Sequence, residues 1–274
     1  MTFDLISAPA LAQQSDRASV AIVDCRFSLA DPQLGRQQYD RGHIPGAYYL
    51  DLDRDLSSPK GARGGRHPLP TPDALAPKLA AMGIEPETLV VAYDDSKGAF
   101  AARLWWLLRY WGRDRVALLD GGWSAWVAGG YPISTEVPAP KAGNFQPQVR
   151  TDWTVDLEEV KARKDLPGVV LIDARESDRY RGDREPIDPV AGHIPGAVNH
   201  FWQDACDDRG FFLPPNLQQQ RWAHLAPEDE IIVYCGSGVT ACVNLWSMAA
   251  AGISGAKLYP GGWSEWCSAE TPPA

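Results

Sequence analysis

The sequence predicts an α/β protein made twice over: two tandem domains, each a mostly parallel sheet with helices on both faces. Three observations predict it. A chain of 274 residues is long enough for two domains, each burying its own core. Four short motifs recur in the same order. Gly42-His43-Ile44-Pro45-Gly46-Ala47 returns as Gly192-His193-Ile194-Pro195-Gly196-Ala197, and Val23-Asp24-Cys25-Arg26 as Ile172-Asp173-Ala174-Arg175. Val90-Val91-Ala92-Tyr93 returns as Ile231-Ile232-Val233-Tyr234, and Gly121-Gly122-Trp123-Ser124-Ala125-Trp126 as Gly261-Gly262-Trp263-Ser264-Glu265-Trp266. That period is too long for a solenoid unit and marks a duplicated domain. Within each copy, short apolar runs alternate with stretches of helical period, the pattern of a parallel sheet covered on both faces.

The N-terminal lead-in, with Asp4 and no basic start, reads as an ordinary helix or strand rather than a signal peptide. Ser19–Asp24 is the first strand. Thr71–Met82 is a helix, with Leu75, Leu79 and Met82 aligned, Gly83 as its stop and Pro77 as an interruption. Leu89–Tyr93 is the central strand, and Ala101–Trp111 a helix with Leu104, Leu107, Leu108 and Trp111 on one face. Val116–Leu119 is the last strand of the copy, ahead of a glycine turn. A proline-punctuated stretch from Tyr131-Pro132 to Pro147 follows. The expected division is therefore a domain over 1–131, a linker over 132–150 and a domain over 151–274. In the second copy Val169–Asp173, Glu230–Tyr234 and Ala256–Tyr259 are the corresponding strands, and Ala241–Ala251 is a helix ended by Gly252.

Composition excludes several function classes. No apolar stretch approaches the ~18 residues of a membrane span. A net charge of −9 disfavours nucleic acid as a partner. Five cysteines, an odd number without a CxxC pair, argue against a disulfide framework and against a zinc site. A reducing cytoplasm is the expected compartment, and it suits a working thiol.

The most informative stretch is Tyr234-Cys235-Gly236-Ser237-Gly238-Val239-Thr240-Ala241. It places a cysteine between a buried strand and a helix, at the carboxyl end of the sheet where ligands of such folds bind. The first-turn N–H groups and the helix dipole favour an anion there, so the thiol pKa is expected below its usual value of about 8.5. Gly236 and Gly238 are expected to take positive φ, letting loop N–H groups, that of Val239 among them, close round a sulfur. The hydroxyls of Ser237 and Thr240 can donate as well. Such a nucleophile is expected to be reachable from solvent. In the first copy Asp94 stands opposite Cys235, Ser96 opposite Ser237, Lys97 and Gly98 opposite Gly238 and Val239, and Phe100 opposite Ala241. That copy is read as non-catalytic, its task being to pack against the other and wall the site. A phosphatase of similar layout needs an arginine six positions after the cysteine to bind phosphoryl oxygens; Ala241 stands there, and no loop residue is basic.

Paired domains with GHIPGA, GGW and a C-G-S-G-V-T-A loop resemble the tandem rhodanese-domain sulfurtransferases, and the loop resembles their 3-mercaptopyruvate branch. The resemblance runs from Ser19 to Trp266. It implies two rhodanese folds and a persulfide intermediate on Cys235. It also implies a small-molecule sulfur donor, a thiol, thioredoxin or cyanide as acceptor, and no metal or organic cofactor. It matches Arg179 to the arginine that grips the donor's carboxylate or sulfonate. It matches Asp53 and His67, in the first copy, to the Asp and His that relay a proton with Ser237. Where mercaptopyruvate enzymes carry a second arginine this chain has Asp188, with Arg181 and Arg184 nearby at other spacings. Thiosulfate enzymes carry basic loop residues, which are missing here. The resulting expectation is a cytoplasmic enzyme that moves sulfane sulfur from 3-mercaptopyruvate through Cys235. Its rivals are thiosulfate:cyanide transfer and a sulfur-carrier module that docks on one protein partner. His43, His193, Asp24 and Asp173 stand in both copies although one lacks the thiol, so they are read as structural. Cys25, Cys206, Cys242 and Cys267 are read as buried thiols, and the eleven tryptophans as packing.

Overall fold

A computed structural model describes residues 5–14 and 19–270; Asp4 and its neighbours 1–3, residues 15–18 and residues 271–274 lie outside the described residues. The chain divides into two units. The first comprises Met1–Ser58, Pro70–Arg150 and Cys206–Phe212, and the second Pro59–Leu69, Thr151–Ala205 and Leu213–Ala274. The division departs from the linear segmentation in two strips. Residues 59–69 belong with the C-terminal copy, and 206–212 with the N-terminal one. The stretch 132–150 is no free linker but part of the first unit. It is tied down by Lys141 N–H to Ala81 O (2.7 Å), Gln148 N–H to Trp111 O (2.9 Å) and Arg150 N–H to Tyr110 O (2.9 Å).

In the first unit the elements run β1 (Leu5–Ile6), α1 (Ala8–Ala12), β2 (Val20–Asp24), α2 (Leu34–Arg41), β3 (Tyr48–Tyr49), α3 (Pro72–Ala81), β4 (Leu89–Tyr93), α4 (Ala101–Tyr110), β5 (Val116–Leu119) and α5 (Gly122–Ala128). The sheet order is β1-β5-β4-β2-β3, all parallel. Every residue of β2, β4 and β5 is buried, which requires cover on both faces. On one face Ile22, Val91, Tyr93 and Leu119 pack with Leu11, Ile44 and Trp126; α4 packs on β4 and β5 through a wholly buried run from Ala101 to Leu108. The α3 helix forms despite Pro77. Pro72 at its start has the φ a first turn needs, and Pro77 faces solvent while Leu75 and Leu79 carry the buried face.

The second unit runs α6 (Leu157–Arg163), β6 (Val169–Asp173), α7 (Ser177–Arg181), β7 (Val198–Asn199), α8 (Pro215–Arg221), β8 (Glu230–Tyr234), α9 (Ala241–Ala250), β9 (Lys257–Leu258) and α10 (Gly262–Glu270). Its parallel sheet has the order β7-β6-β8-β9. Asp156 and Glu159 form a reciprocal capping box at the start of α6. Among the described residues no helix is long and apolar enough to cross a membrane.

The repeated motifs meet in one clasp, built once per unit. In the first, Arg26 pairs with Asp24 (2.6 Å), donates to Gly42 O (2.7 Å) and lies 4.3 Å from the Trp123 ring centroid. Tyr93 donates to Asp24 (2.7 Å) and accepts from Ile44 N–H. In the second, Arg175 pairs with Asp173 (2.7 Å), donates to Gly192 O (2.6 Å) and lies 5.0 Å from the Trp263 ring centroid, while Tyr234 accepts from Ile194 N–H. His43 stacks on Tyr39 and His193 on Tyr180, both at 3.9 Å. A buried guanidinium is tolerable only when its donors are engaged, so first strand, GHIPGA and GGW must recur together.

Candidate active site

The loop 235–240 joins β8 to α9 within the second unit. Its shape is set by what a side chain would strike. Gly238 has φ +69°, and a Cβ there would lie 2.6 Å from Pro260 O, so only glycine fits. Gly236 does not adopt positive φ, contrary to expectation. Its missing Cβ serves another purpose: the vacant position lies 2.7 Å from Arg66 Nη2 and 3.8 Å from Arg179 Nη2. The glycine admits two guanidiniums against the loop. A further clamp comes from the GGW turn, whose tryptophans the sequence assigns to packing. Gly262, at φ +58°, would carry a Cβ 2.5 Å from Cys235 O. Lacking one, it lets Trp263 N–H reach Cys235 O (2.8 Å) and Ser264 N–H reach Gly236 O (2.9 Å).

Cys235 is 2% exposed, so the open nucleophile expected from the sequence is not what the structure shows. Against its loop lies segment 59–69, held by Gly64 N–H to Glu265 (2.8 Å) and Arg66 N–H to Ser264 Oγ (3.1 Å). The same segment brings His67 Nδ1 to 2.7 Å from Ser237 Oγ, both residues being buried. His67 is thus part of the same unit as Cys235, not of the opposite one. Asp53 does lie in the first unit, where its N–H donates to Asp51; burial and the Asp51 charge push its carboxyl pKa up. Among the described residues the N–H groups of Val239, Thr240 and Ala241 donate to no oxygen of the chain. Thr240, the N-cap of α9, makes no side-chain capping bond. These donors surround the start of a ten-residue helix, where a negative charge is favoured.

Arg179 binds Glu185 through Nε (3.3 Å) and Nη2 (2.7 Å), and Asp188 through Nη2 (3.3 Å). Its neighbours Arg181 and Arg184 sit in exposed pairs with Asp183 and with Asp178 and Glu176, so neither reaches the loop as a second cation. Arg66, which sequence reasoning missed, is the basic residue that does. The signal for it is only its place beside His67, and nothing local ties 66 to 236.

A family model for the rhodanese-like domain matches residues 7–129 and again 156–269. The chain belongs to the rhodanese-like family. A relative 48% identical, covering 96% of this chain and 94% of its own, is named a probable 3-mercaptopyruvate sulfurtransferase of Pseudomonas aeruginosa. One 39% identical, covering 93% and 90%, is named a putative thiosulfate sulfurtransferase of Mycobacterium tuberculosis. The crystal structure of the Escherichia coli 3-mercaptopyruvate enzyme superposes with a TM-score of 0.83 at 28% identity, over 96% of this chain and all of that one. The chain is a sulfurtransferase with two α/β rhodanese-like domains.

In the first rhodanese domain Asp94 occupies the place of the cysteine. Its carboxylate accepts four backbone N–H groups, those of Ser96 (2.8 Å), Gly98 (2.9 Å), Phe100 (2.9 Å) and Ala101 (2.8 Å). Burial pushes the thiol pKa of Cys25 well up, that of Cys267 up, and that of Cys206 up to about 12. Cys242 is buried and donates to Gly238 O (3.4 Å).

Proposed function

We propose that this protein moves sulfane sulfur from 3-mercaptopyruvate through a Cys235 persulfide to a thiol, thioredoxin or cyanide. The observation that carries the reading is the buried hydrogen bond between His67 and Ser237, two residues from Cys235 (2.7 Å). Breaking the donor's C–S bond leaves an enolate of pyruvate, which needs a proton at carbon. The donor thiol gives its proton to His67 through Ser237, the Cys235 thiolate attacks the donor sulfur, the C–S electron pair passes to the enolate, and His67 returns that proton to carbon through Ser237, leaving the outer sulfur of the persulfide as an anion. The outer sulfur is cradled by loop N–H groups from Gly236 to Thr240, with the Thr240 hydroxyl beside them. Arg179 adds positive charge for the donor. Asp53, which the resemblance assigns to the relay, belongs to the other unit. An acceptor thiolate then attacks the outer sulfur, and Cys235 leaves as thiolate. The reaction requires no metal or organic cofactor, and the thiol suits a reducing cytoplasm.

Thiosulfate is the second reading, favoured by the name of the mycobacterial relative. It expels sulfite, which needs no proton at carbon, so the Ser237–His67 pair would be idle. The intact protein is incubated with either donor and weighed. The wild type should gain one sulfur atom from mercaptopyruvate, and Cys235→Ala should gain none. A gain that survives Cys235→Ala overturns the persulfide assignment. A higher kcat/KM for thiosulfate overturns the donor. Slow turnover with both donors would favour a carrier.

A further inference from the structure

We propose that Arg66 receives the carboxylate of the donor, with Asp188 as the residue that positions it and Arg179 as a supporting cation. This rests on the donor reading above. Asp188 occupies the sequence position at which the mercaptopyruvate branch carries a second arginine. Its side chain is nearly buried, with the residue 8% exposed. A carboxylate there is costly unless paired, and it is paired twice, Oδ1 with Arg66 Nη1 and Oδ2 with Arg179 Nη2 (3.3 Å). The acid therefore replaces an arginine in the sequence while fixing a different arginine in space.

The two guanidiniums differ in what they have left to offer. Arg179 has Nε and Nη2, one edge of its planar fork, on Glu185. Arg66 engages Nη1 with Asp188, and its Nε and Nη2 donate to no acceptor among the described residues. That open edge is the one beside the loop, with Nη2 2.7 Å from the position a Gly236 Cβ would take. The Arg66 side chain is 21% exposed, so a ligand can reach it. A fork anchored at one corner and open along the opposite edge fits a planar carboxylate bidentately. Three cations here, Arg66, Arg175 and Arg179, face three carboxylates, Asp173, Glu185 and Asp188. Recognition of the anion must then come from directed N–H groups rather than from excess positive charge.

Two alkylating agents test this in the full chain, independently of the sulfur donor. Iodoacetate and iodoacetamide attack the same thiol with the same leaving group, but only the first carries a carboxylate. Arg66→Ala and the closer-sized Arg66→Gln should lower the iodoacetate-to-iodoacetamide rate ratio at Cys235 about tenfold, the worth of a charge-assisted hydrogen bond. Arg66→Lys should recover only part of it, because a point charge is not a fork. Asp188→Ala should also lower the ratio, since Arg66 loses its anchor; a rise would show that Asp188 merely repels anions and would overturn its positioning role. An unchanged ratio in both Arg66→Ala and Arg66→Gln overturns the assignment of Arg66. Persulfide formation from mercaptopyruvate by the wild type is measured beside it. A ratio that falls in a protein that takes no sulfur from mercaptopyruvate keeps the anion site and rejects the donor. Sulfur uptake with an unchanged ratio rejects Arg66 alone.

Discussion

The loops that follow the two central strands share one plan and hold different anions. After β4, Asp94 turns its carboxylate back into the loop and accepts four N–H groups, so that loop supplies its own anion. After β8, Cys235 stands at the same position, and the N–H groups of Val239, Thr240 and Ala241 find no oxygen in the chain among the described residues. The backbone differs accordingly. In the first loop Lys97 (φ 56°) and Gly98 (φ 81°) are both left-handed; in the second only Gly238 (φ 69°) is, and Val239 opposite Gly98 is not. Two left-handed residues in succession curl N–H groups inward on a carboxylate. The second loop, with one such residue, leaves those three N–H groups without an oxygen of the chain among the described residues, which on the proposed reading leaves them for an outer sulfur. Each loop is held by the GGW turn of its own copy, through Trp123 N–H to Asp94 O and Trp263 N–H to Cys235 O, each at 2.8 Å.

The largest effect expected from this comparison is at Asp94. Asp94→Asn puts an amide NH2 where one oxygen takes two N–H groups, leaving donors buried against donors. The loss should be about 3 kcal/mol of stability in urea unfolding, since several charge-assisted bonds are damaged together. An Asn variant as stable as the wild type would show that the carboxylate does not organise the loop, and the likeness of the two loops would fail.

Much of this was legible in the sequence, and the reasons are local. The strands at 89–93, 116–119, 169–173 and 230–234 carry β-branched or apolar runs bounded by turns, and they form over those residues. The thiol loop and its Asp94 counterpart could be aligned because the duplication supplies an internal reference. What stayed hidden depends on contacts far apart in sequence. No pattern near Gly236 foretells that Arg66 fills the space its Cβ would take. Residues 59–69 look like a loop of the first copy, yet their hydrogen bonds run to Ser237, Ser264 and Glu265. Asp188 stands where the mercaptopyruvate branch carries an arginine, and only the fold shows that it pairs with Arg66 and Arg179.

A second difference between the domains follows β3 and β7. Leu50 N–H donates to Asp24 O and His200 N–H to Asp173 O, each at 3.0 Å, so an imidazole takes the place of a buried leucine. The His200 ring stacks on His224 at 4.6 Å and lies 5.0 Å from Trp222. Burial, with His224 and Arg221 nearby, lowers its pKa to about 4. A histidine whose folded pKa lies below its unfolded value of about 6.5 stabilises the fold above that value. The contribution is lost as pH falls from about 6.5 through 4. His200→Leu should remove about 1–2 kcal/mol of the stability lost over that window, the full shift being reduced by solvent screening. Identical acid profiles for wild type and variant would place the sensitivity elsewhere.

The smallest effect sharpens the comparison most directly. Lys97 is the one non-glycine residue with positive φ among the described residues, and it stands opposite Gly238. A lysine held left-handed costs about 1–2 kcal/mol, and glycine returns roughly half of that gain as unfolded-chain entropy. Lys97→Gly should therefore stabilise the chain by about 0.5–1 kcal/mol, raising Tm by about 1–3 °C. The reverse exchange is closed to the second loop, because a Cβ on Gly238 would sit 2.6 Å from Pro260 O. The first loop tolerates its strain because the Asp94 carboxylate fixes the curl. If Lys97→Gly destabilises instead, the Lys97 side chain contributes something the backbone does not show. The two loops would then differ in more than the anion they hold.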